Sequence, residues 1–251
     1  MKRKLLSLLL CAAIFIGILP VVSFAAGTAA AAKLGAENGD TVLFAGKGST
    51  PVKWRVIDKA KTNTGNTNGM LLLSENTLYD VTSTDKTTSW LNKDCGDFYN
   101  AYFAAAYKNA VMTVSKTDGT YKINSDEYSG SLPSGTAVFA LSAHELDGMS
   151  DGLKKFPGSD NWWLRTMCPK GSALPLSYYT YASAETGEIK NIITTSANKG
   201  AIKLRPAVNL NKSKLAAING KLLLLPAGSS ANEWKLSLKN DINISAYTAY
   251  N

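Results

Sequence analysis

The chain carries a single histidine, three cysteines and 19 acids spread over 251 residues, a sparse inventory for catalysis. His144 is second in Ser142-Ala143-His144-Glu145, which has the spacing of a capping box. It therefore reads as a solvated residue in the first turn of a short helix. A Ser-His-Asp or Cys-His device needs a base with an orienting partner. Cys95 and Cys168 lie too far from His144 in sequence for spacing to favour either as a nucleophile. Four zinc ligands at motif spacing are absent, as are an EF-hand loop and the glycine pattern that cradles phosphates. The expectation is no metal and no cofactor. Paired carboxylates, as a glycosidase uses, could be drawn only from Glu127, Glu145, Asp147 and Glu188, each of which also reads as surface charge.

Aromatic residues are the richer signal. Asn161-Trp162-Trp163-Leu164-Arg165-Thr166 places two indoles, each needing apolar contact and an N–H partner, beside a permanent cation. Strand alternation puts Trp162 and Leu164 on one face, with Trp163 and Arg165 on the other. Trp162 is expected in the core, and Arg165 could cover Trp163 through a cation–π contact. In the stretch from Leu174 to Ala182, the same alternation groups Tyr179 and Tyr181 on the face opposite Leu174, Leu176 and Tyr178. Trp163, Tyr179 and Tyr181 are thus the candidate ligand-binding residues, a platform on which sugar rings or peptide side chains could stack. Trp54, Trp90, Trp162, Arg165 and Arg205 are expected to serve the fold.

The elements that must position these residues follow from pattern. Thr41–Ala45 and Val52–Val56 read as strands, the second alternating apolar and charged residues with Trp54 inward. Asn63–Gly69 is turn chemistry, and Met70–Leu73 is a buried returning strand. Trp90 lies in a short helix or turn over Thr88–Asn92. A better helix starts at Asp97, its Phe98, Tyr102, Ala105 and Ala106 forming a core-facing stripe. Gly119–Gly135 reads as an exposed polar loop and Ala137–Leu141 as a strand. Further strands are expected over 161–166, 174–184, 189–195 and 201–210. Lys221–Pro226, Glu233–Lys239 and Ile242–Thr248 read as three short strands of a β-rich C-terminal appendage. Strands first, helices next and strands again give an α+β class, mostly antiparallel β with two or three short helices.

Export is the other clear message. Met1-Lys2-Arg3-Lys4 precedes an apolar run from Leu5 to Val22, and Ser23-Phe24-Ala25 supplies small residues where a signal peptidase reads. Residues 1–25 are expected to be a signal peptide cleaved after Ala25, and 26–38 a flexible leader. A main domain then spans 39–211, followed by the appendage over 212–251. Losing Lys2, Arg3 and Lys4 lowers the formal charge from +8 to +5. The remaining Lys and Arg residues are scattered, which argues against a nucleic-acid partner. No later apolar run is long enough to span a membrane. Cys95 and Cys168 could close one disulfide in an oxidising compartment, or stand as two separate thiols.

Several stretches, in order, resemble a known bacterial family. They are Gly39–Phe44, Val52–Val56, Leu71–Ser74, Trp90-Leu91-Asn92 with the helix after it, Val138–Ser142, Trp162–Arg165 and Arg205–Val208. Over residues 39 to 210 the chain resembles the exported proteins catalogued as domain of unknown function 6273. That resemblance implies, at fold level, a similarity to C-type-lectin-like and formylglycine-generating-enzyme-like domains. The lectin calcium motifs Glu-Pro-Asn and Trp-Asn-Asp are absent, as is the copper-binding cysteine pair. The expected function is a non-catalytic, secreted or cell-envelope binding module for glycan or a cell-surface protein. The alternative is an envelope hydrolase using a carboxylate pair.

Overall fold

The computed structural model describes residues 32–77, 88–123, 126–167, 178–193, 202–227 and 233–250. Its class is α+β, mostly antiparallel sheet with few helices. The opening strands are β1 (Lys33–Leu34), β2 (Thr41–Lys47), β3 (Thr50–Asp58) and β4 (Gly69–Ser74). Helices α1 (Thr88–Tyr102) and α2 (Ala105–Lys108) follow, then β5 (Val114–Thr117), β6 (Tyr121–Ile123), β7 (Asp126–Tyr128), β8 (Ser131–Thr136) and β9 (Val138–Phe139). Next come α3 (Ala143–Asp147), α4 (Asp151–Lys154), β10 (Trp162–Met167), β11 (Tyr178–Ala182) and β12 (Ile189–Ile193). The chain closes with β13 (Ala207–Asn211), β14 (Ala217–Ile218), β15 (Lys221–Pro226), β16 (Glu233–Leu236) and a 3₁₀ turn over Ile244–Tyr250.

The main sheet runs β1-β15-β16-β2-β3-β4-β13-β9, and β10, β11 and β12 form a second sheet. One parallel bridge, Trp162 to Lys203, ties the tryptophan strand to the segment leading into β13. Two apolar clusters result. One gathers Val42, Phe44, Trp54, Phe98, Phe103, Trp163 and Tyr179; the other gathers Leu73, Phe139, Phe156, Trp162, Leu164 and Ala182. The second sheet therefore has apolar side chains packed on both faces.

Trp54 shows how the first cluster is locked. Its indole is fully buried and donates to Phe44 O at 2.8 Å, while its ring meets Phe98 and Phe103 edge-on. A bulge between Leu43 and Gly46 shifts the β2–β3 register just beyond that carbonyl, and Ala45 takes φ +56° there. Trp90 lies in α1, and its side chain is outside the described residues.

Several sequence expectations change. The region 212–251 is not an appendage, because β16 pairs in parallel with β2 and β15 pairs with β16, extending the main sheet. Leu215, Leu224, Leu236 and Leu238 accordingly join the first core cluster. Part of the proposed leader is a strand. Lys33 and Leu34 pair with Leu224 and Leu223, with Leu34 packed on the small cluster of Ala216, Ile218 and Leu223. The two helical segments expected around 88–107 are one 15-residue helix with a short second one, since the first helix runs unbroken through Gly96 between Asn92 and Asp97. The polar stretch 119–135 is no exposed loop: it contains β6, β7 and most of β8, with Tyr128 and Leu132 buried. Residues 244–250 turn as 3₁₀ helix where a strand was expected.

Candidate functional site

Arg165 is the organising side chain of the interior. It is 2% exposed, on a strand buried along nearly its whole length, and its guanidinium uses all five donors. Nε and Nη2 reach the two oxygens of Asp118 at 2.7 Å each. Nη1 and Nη2 hold Glu145 at 2.7 and 2.8 Å, and Nη1 also donates to Ala140 O at 2.8 Å. This planar fork matches two carboxylates at once, which a lysine could not do.

Local structure delivers each partner. Ser142 caps α3 through a full capping box, its hydroxyl accepting from Glu145 N while Glu145 Oε2 accepts from Ser142 N at 2.9 Å. That geometry aims the Glu145 carboxylate back beneath the helix start, towards Arg165. Asp118 follows β5, and its N–H donates to Gly130 O at 2.9 Å. The bridge between Ser129 and Met167 stitches the same hairpin to β10. Gly130 makes room there, since a Cβ would stand 3.0 Å from Arg165 O and 3.1 Å from Asp118 Oδ2, tighter than side chains usually pack.

A second tier surrounds this core. Lys116 Nζ reaches Glu145 at 2.8 Å and Asp118 at 3.8 Å. Asn63 donates to Glu145 Oε1 at 2.9 Å and accepts from Asn209 at 2.7 Å. Two cations and two carboxylates therefore cancel, and Glu145 accepts five donors. Burial pushes the Glu145 carboxyl up, but Arg165 and Lys116 more than offset it, leaving it at about 2. Burial draws Arg165 down, and Glu145 and Asp118 reverse this, holding it above the ordinary arginine value. A group so committed to its charged form is poorly matched to general acid–base work near neutral pH.

Arg205 plays a different part. Its guanidinium lies 3.8 Å from the Phe156 ring centre and 4.6 Å from that of Trp162. Arg55 is also 3.8 Å from Phe156 and so must occupy the ring's other face. Arg205 donates to Ser74 O, Glu75 O and Ser159 Oγ, while Arg55 grips the Glu75 carboxylate with two bonds. Burial pulls the Arg205 guanidinium down to about 9, Glu75 opposing the shift and Arg55 adding to it. Within the tryptophan pair, the indole that carries a cation is therefore Trp162, under Arg205. The expected cover of Trp163 by Arg165 does not form, because Arg165 turns to its carboxylates and Phe139.

The three aromatic candidates do not form an exposed platform. Trp163 and Tyr179 are each 1% exposed and meet edge-on at 6.1 Å inside the first core cluster. Tyr181 is half-buried, opposite Trp163 in the β10–β11 register. Alternation predicted a solvent face, but the main core covers that side. Cys95 is a buried, free thiol pushed upwards by burial, and Cys168 lies outside the described residues, as do Leu174 and Leu176. Of the four acids, Glu127 faces Lys122 across β6 and β7, both side chains exposed. Asp147 and Glu188 line one cleft with Asp151 and Lys154, all three acids well exposed. No cluster of three potential metal ligands occurs among the described residues.

A second cleft opens beside the buried network. It has a volume of about 420 Å³ and lies between the β3–β4 connection and the α3–α4 segment, with Asn63, His144 and Glu145 in its wall. His144 is exposed and packs edge-on against Tyr121, its Nε2 3.0 Å from Thr120 O. No family model, curated protein or solved structure matches the chain. The site therefore has to be judged on its own chemistry. Sequence reasoning missed Asp118, Lys116 and Asn63 altogether; only the capping-box spacing hinted that Glu145 was more than a surface acid.

Proposed function

We propose that the protein is an exported, non-catalytic binding module, with its ligand in the cleft beside Asn63, His144 and Glu145. One observation carries this reading: the carboxylate in the wall of that cleft is saturated. Glu145 accepts from Arg165 twice, from Lys116, from Asn63 and from Ser142 N, which rigidifies the cleft and leaves no lone pair poised for proton transfer. The hydrolase alternative falls to Asp147, Asp151 and Glu188, whose exposed side chains are set among Lys154 and Lys190. A glycosidase acid is usually tuned by burial, which these lack.

The lectin-like architecture belongs to the same proposal. It is supported by an antiparallel α+β arrangement in which the Trp162–Arg165 and Arg205–Val208 segments both contribute to the same two apolar clusters. Export with cleavage after Ala25 is supported by the basic start, the apolar run and the small residues at 23 and 25. Among the described residues no helix is long and apolar enough to cross a membrane. The test is a glycan array together with a cell-wall pull-down, both using mature protein beginning at Ala26. Selective capture in either supports the reading, and blanks in both overturn it. N-terminal sequencing of secreted material that starts elsewhere would overturn the cleavage site.

A further inference from the structure

Resting on that binding-module reading, we infer that the cleft beside α3 takes a neutral saccharide of one or two rings. Its size falls within the range of small-ligand pockets, which run from about 300 to 1,000 Å³. Ile57, Leu71 and Met149, all buried, and the half-buried Leu153 line it with apolar surface. That surface suits the C–H face of a pyranose. Around it stand Asn38, Asp58, Lys61 and Ser150, which offer hydrogen-bonding groups of both kinds. Asn38 accepts from Lys59 N through Oδ1, so its amide N–H groups remain to donate. Asp58 Oδ1 is occupied by Ala60 N and Lys61 N, leaving Oδ2 to accept. Ser150 caps α4 without a side-chain bond, so its hydroxyl is available.

Charge narrows the class. Asp58 and Lys61 bring opposite charges to the lining without an ion pair between their side chains, and Glu145 is cancelled from behind by Arg165. The lining therefore carries no net charge to select a phosphate or a cation, while a polyhydroxylated neutral ring finds donors and acceptors. Topology argues against an extended peptide. β3 is paired on both sides by β2 and β4, and β4 by β3 and β13, so neither offers an open edge for strand addition. The cleft is also preformed. Asn63 is held by Glu145 and Asn209, and the Asp58 turn is closed by its own side chain, so little ordering opposes binding.

The experiment is calorimetric titration of the mature protein with chitobiose, cellobiose and maltose, with glucose 6-phosphate as the anionic control. Ser150→Trp fills the cleft from an exposed position, and Leu153→Asp places a charge on its apolar surface. Tyr181→Ala, on the other sheet, is the control. Binding of at least one disaccharide, weakened on the order of ten-fold or more in both cleft variants and unchanged in Tyr181→Ala, is the expected result. Undiminished binding in folded Ser150→Trp and Leu153→Asp would place the ligand elsewhere and overturn the inference, leaving the binding-module reading intact. Preference for glucose 6-phosphate would overturn the neutral class. Failure of every saccharide overturns the inference too, and protein capture in the cell-wall pull-down would then preserve the wider reading.

Discussion

Neutralising Glu145 should alter the acid stability of the whole protein, and by an amount the structure sets. Its ordinary value of 4.5 falls to about 2 in the folded chain, where Arg165 and Lys116 outweigh the effect of burial. A depressed carboxyl contributes stability that is fully present above its unfolded value and is lost as pH falls through the folded one. At about 1.4 kcal/mol per unit, the contribution is on the order of 3 kcal/mol, disappearing between roughly pH 5 and pH 2. Glu145→Gln keeps the shape but removes the titration, and it leaves Arg165 with a weaker partner. At pH 7 the variant should be less stable by about 3 kcal/mol, the scale for breaking a buried ion pair. On acidification the gap to the wild type should close. Urea unfolding of both proteins at half-unit steps from pH 6 to pH 2 measures this directly, because the other carboxylates titrate in both and cancel in the difference. A gap that stays constant over that range would refute the assignment of Glu145 as the strongly held carboxylate.

Other substitutions test the remaining architecture. Tyr179→Ala should lower stability by about 3–5 kcal/mol in chemical denaturation, as removal of a large buried ring does, because Tyr179 packs on Trp163 in the core. An exposed stacking residue would show almost no loss. Arg205→Lys should lower the melting temperature although the charge is kept, since the flat stack between Phe156 and Trp162 and the forked bonds to Ser74 O, Glu75 O and Ser159 Oγ need a guanidinium. An unchanged melting temperature would contradict that role. In a Cys168→Ala background of the mature chain, Cys95 should react with a thiol reagent only as fast as the protein opens, because it is fully buried and its thiol is pushed up. Rapid native-state labelling would show it accessible.

What could be read from the sequence was local. Val52–Val56 alternates, Asn63–Gly69 is dense in turn formers, and Ser142 with Glu145 spells a helix start; β3, the turn before β4 and the cap of α3 follow. Each signal acts within a few residues. What could not be read was long-range pairing. Asp118 is 47 residues from Arg165 and immediately precedes the stretch 119–135 that reads as an exposed polar loop. A carboxylate that will be buried has no different appearance in sequence from one that will be solvated, and only the meeting of the β5–β8 hairpin with β10 decides between them. The C-terminal strands misled for the same reason. Their pairing with β2 crosses nearly the whole chain, and parallel partners leave no turn between them to be recognised.

The aromatic strands carry the sharper lesson, because there the local rule was applied correctly and still pointed to the wrong surface. Alternation sorts side chains between two faces of a sheet, but it names a solvent face only when one side of the sheet is bare. Here β10 and β11 lie between two apolar clusters: Trp163 and Tyr179 enter one, and Trp162, Leu164 and Ala182 enter the other. The run Trp162-Trp163-Leu164, apolar at every position, was itself the sign of a strand covered on both faces. Once both indoles are committed to packing, recognition has to be sought among residues whose polar groups the fold leaves open. Asn38, Asp58, Lys61 and Ser150 meet that condition, at the end of β3, on short connections and at the cap of α4, beside the α3 cap that Arg165 holds. The costly aromatic-and-arginine motif thus fixes the interior, and through Glu145 and Asn63 it holds rigid the wall of the cleft assigned to the ligand.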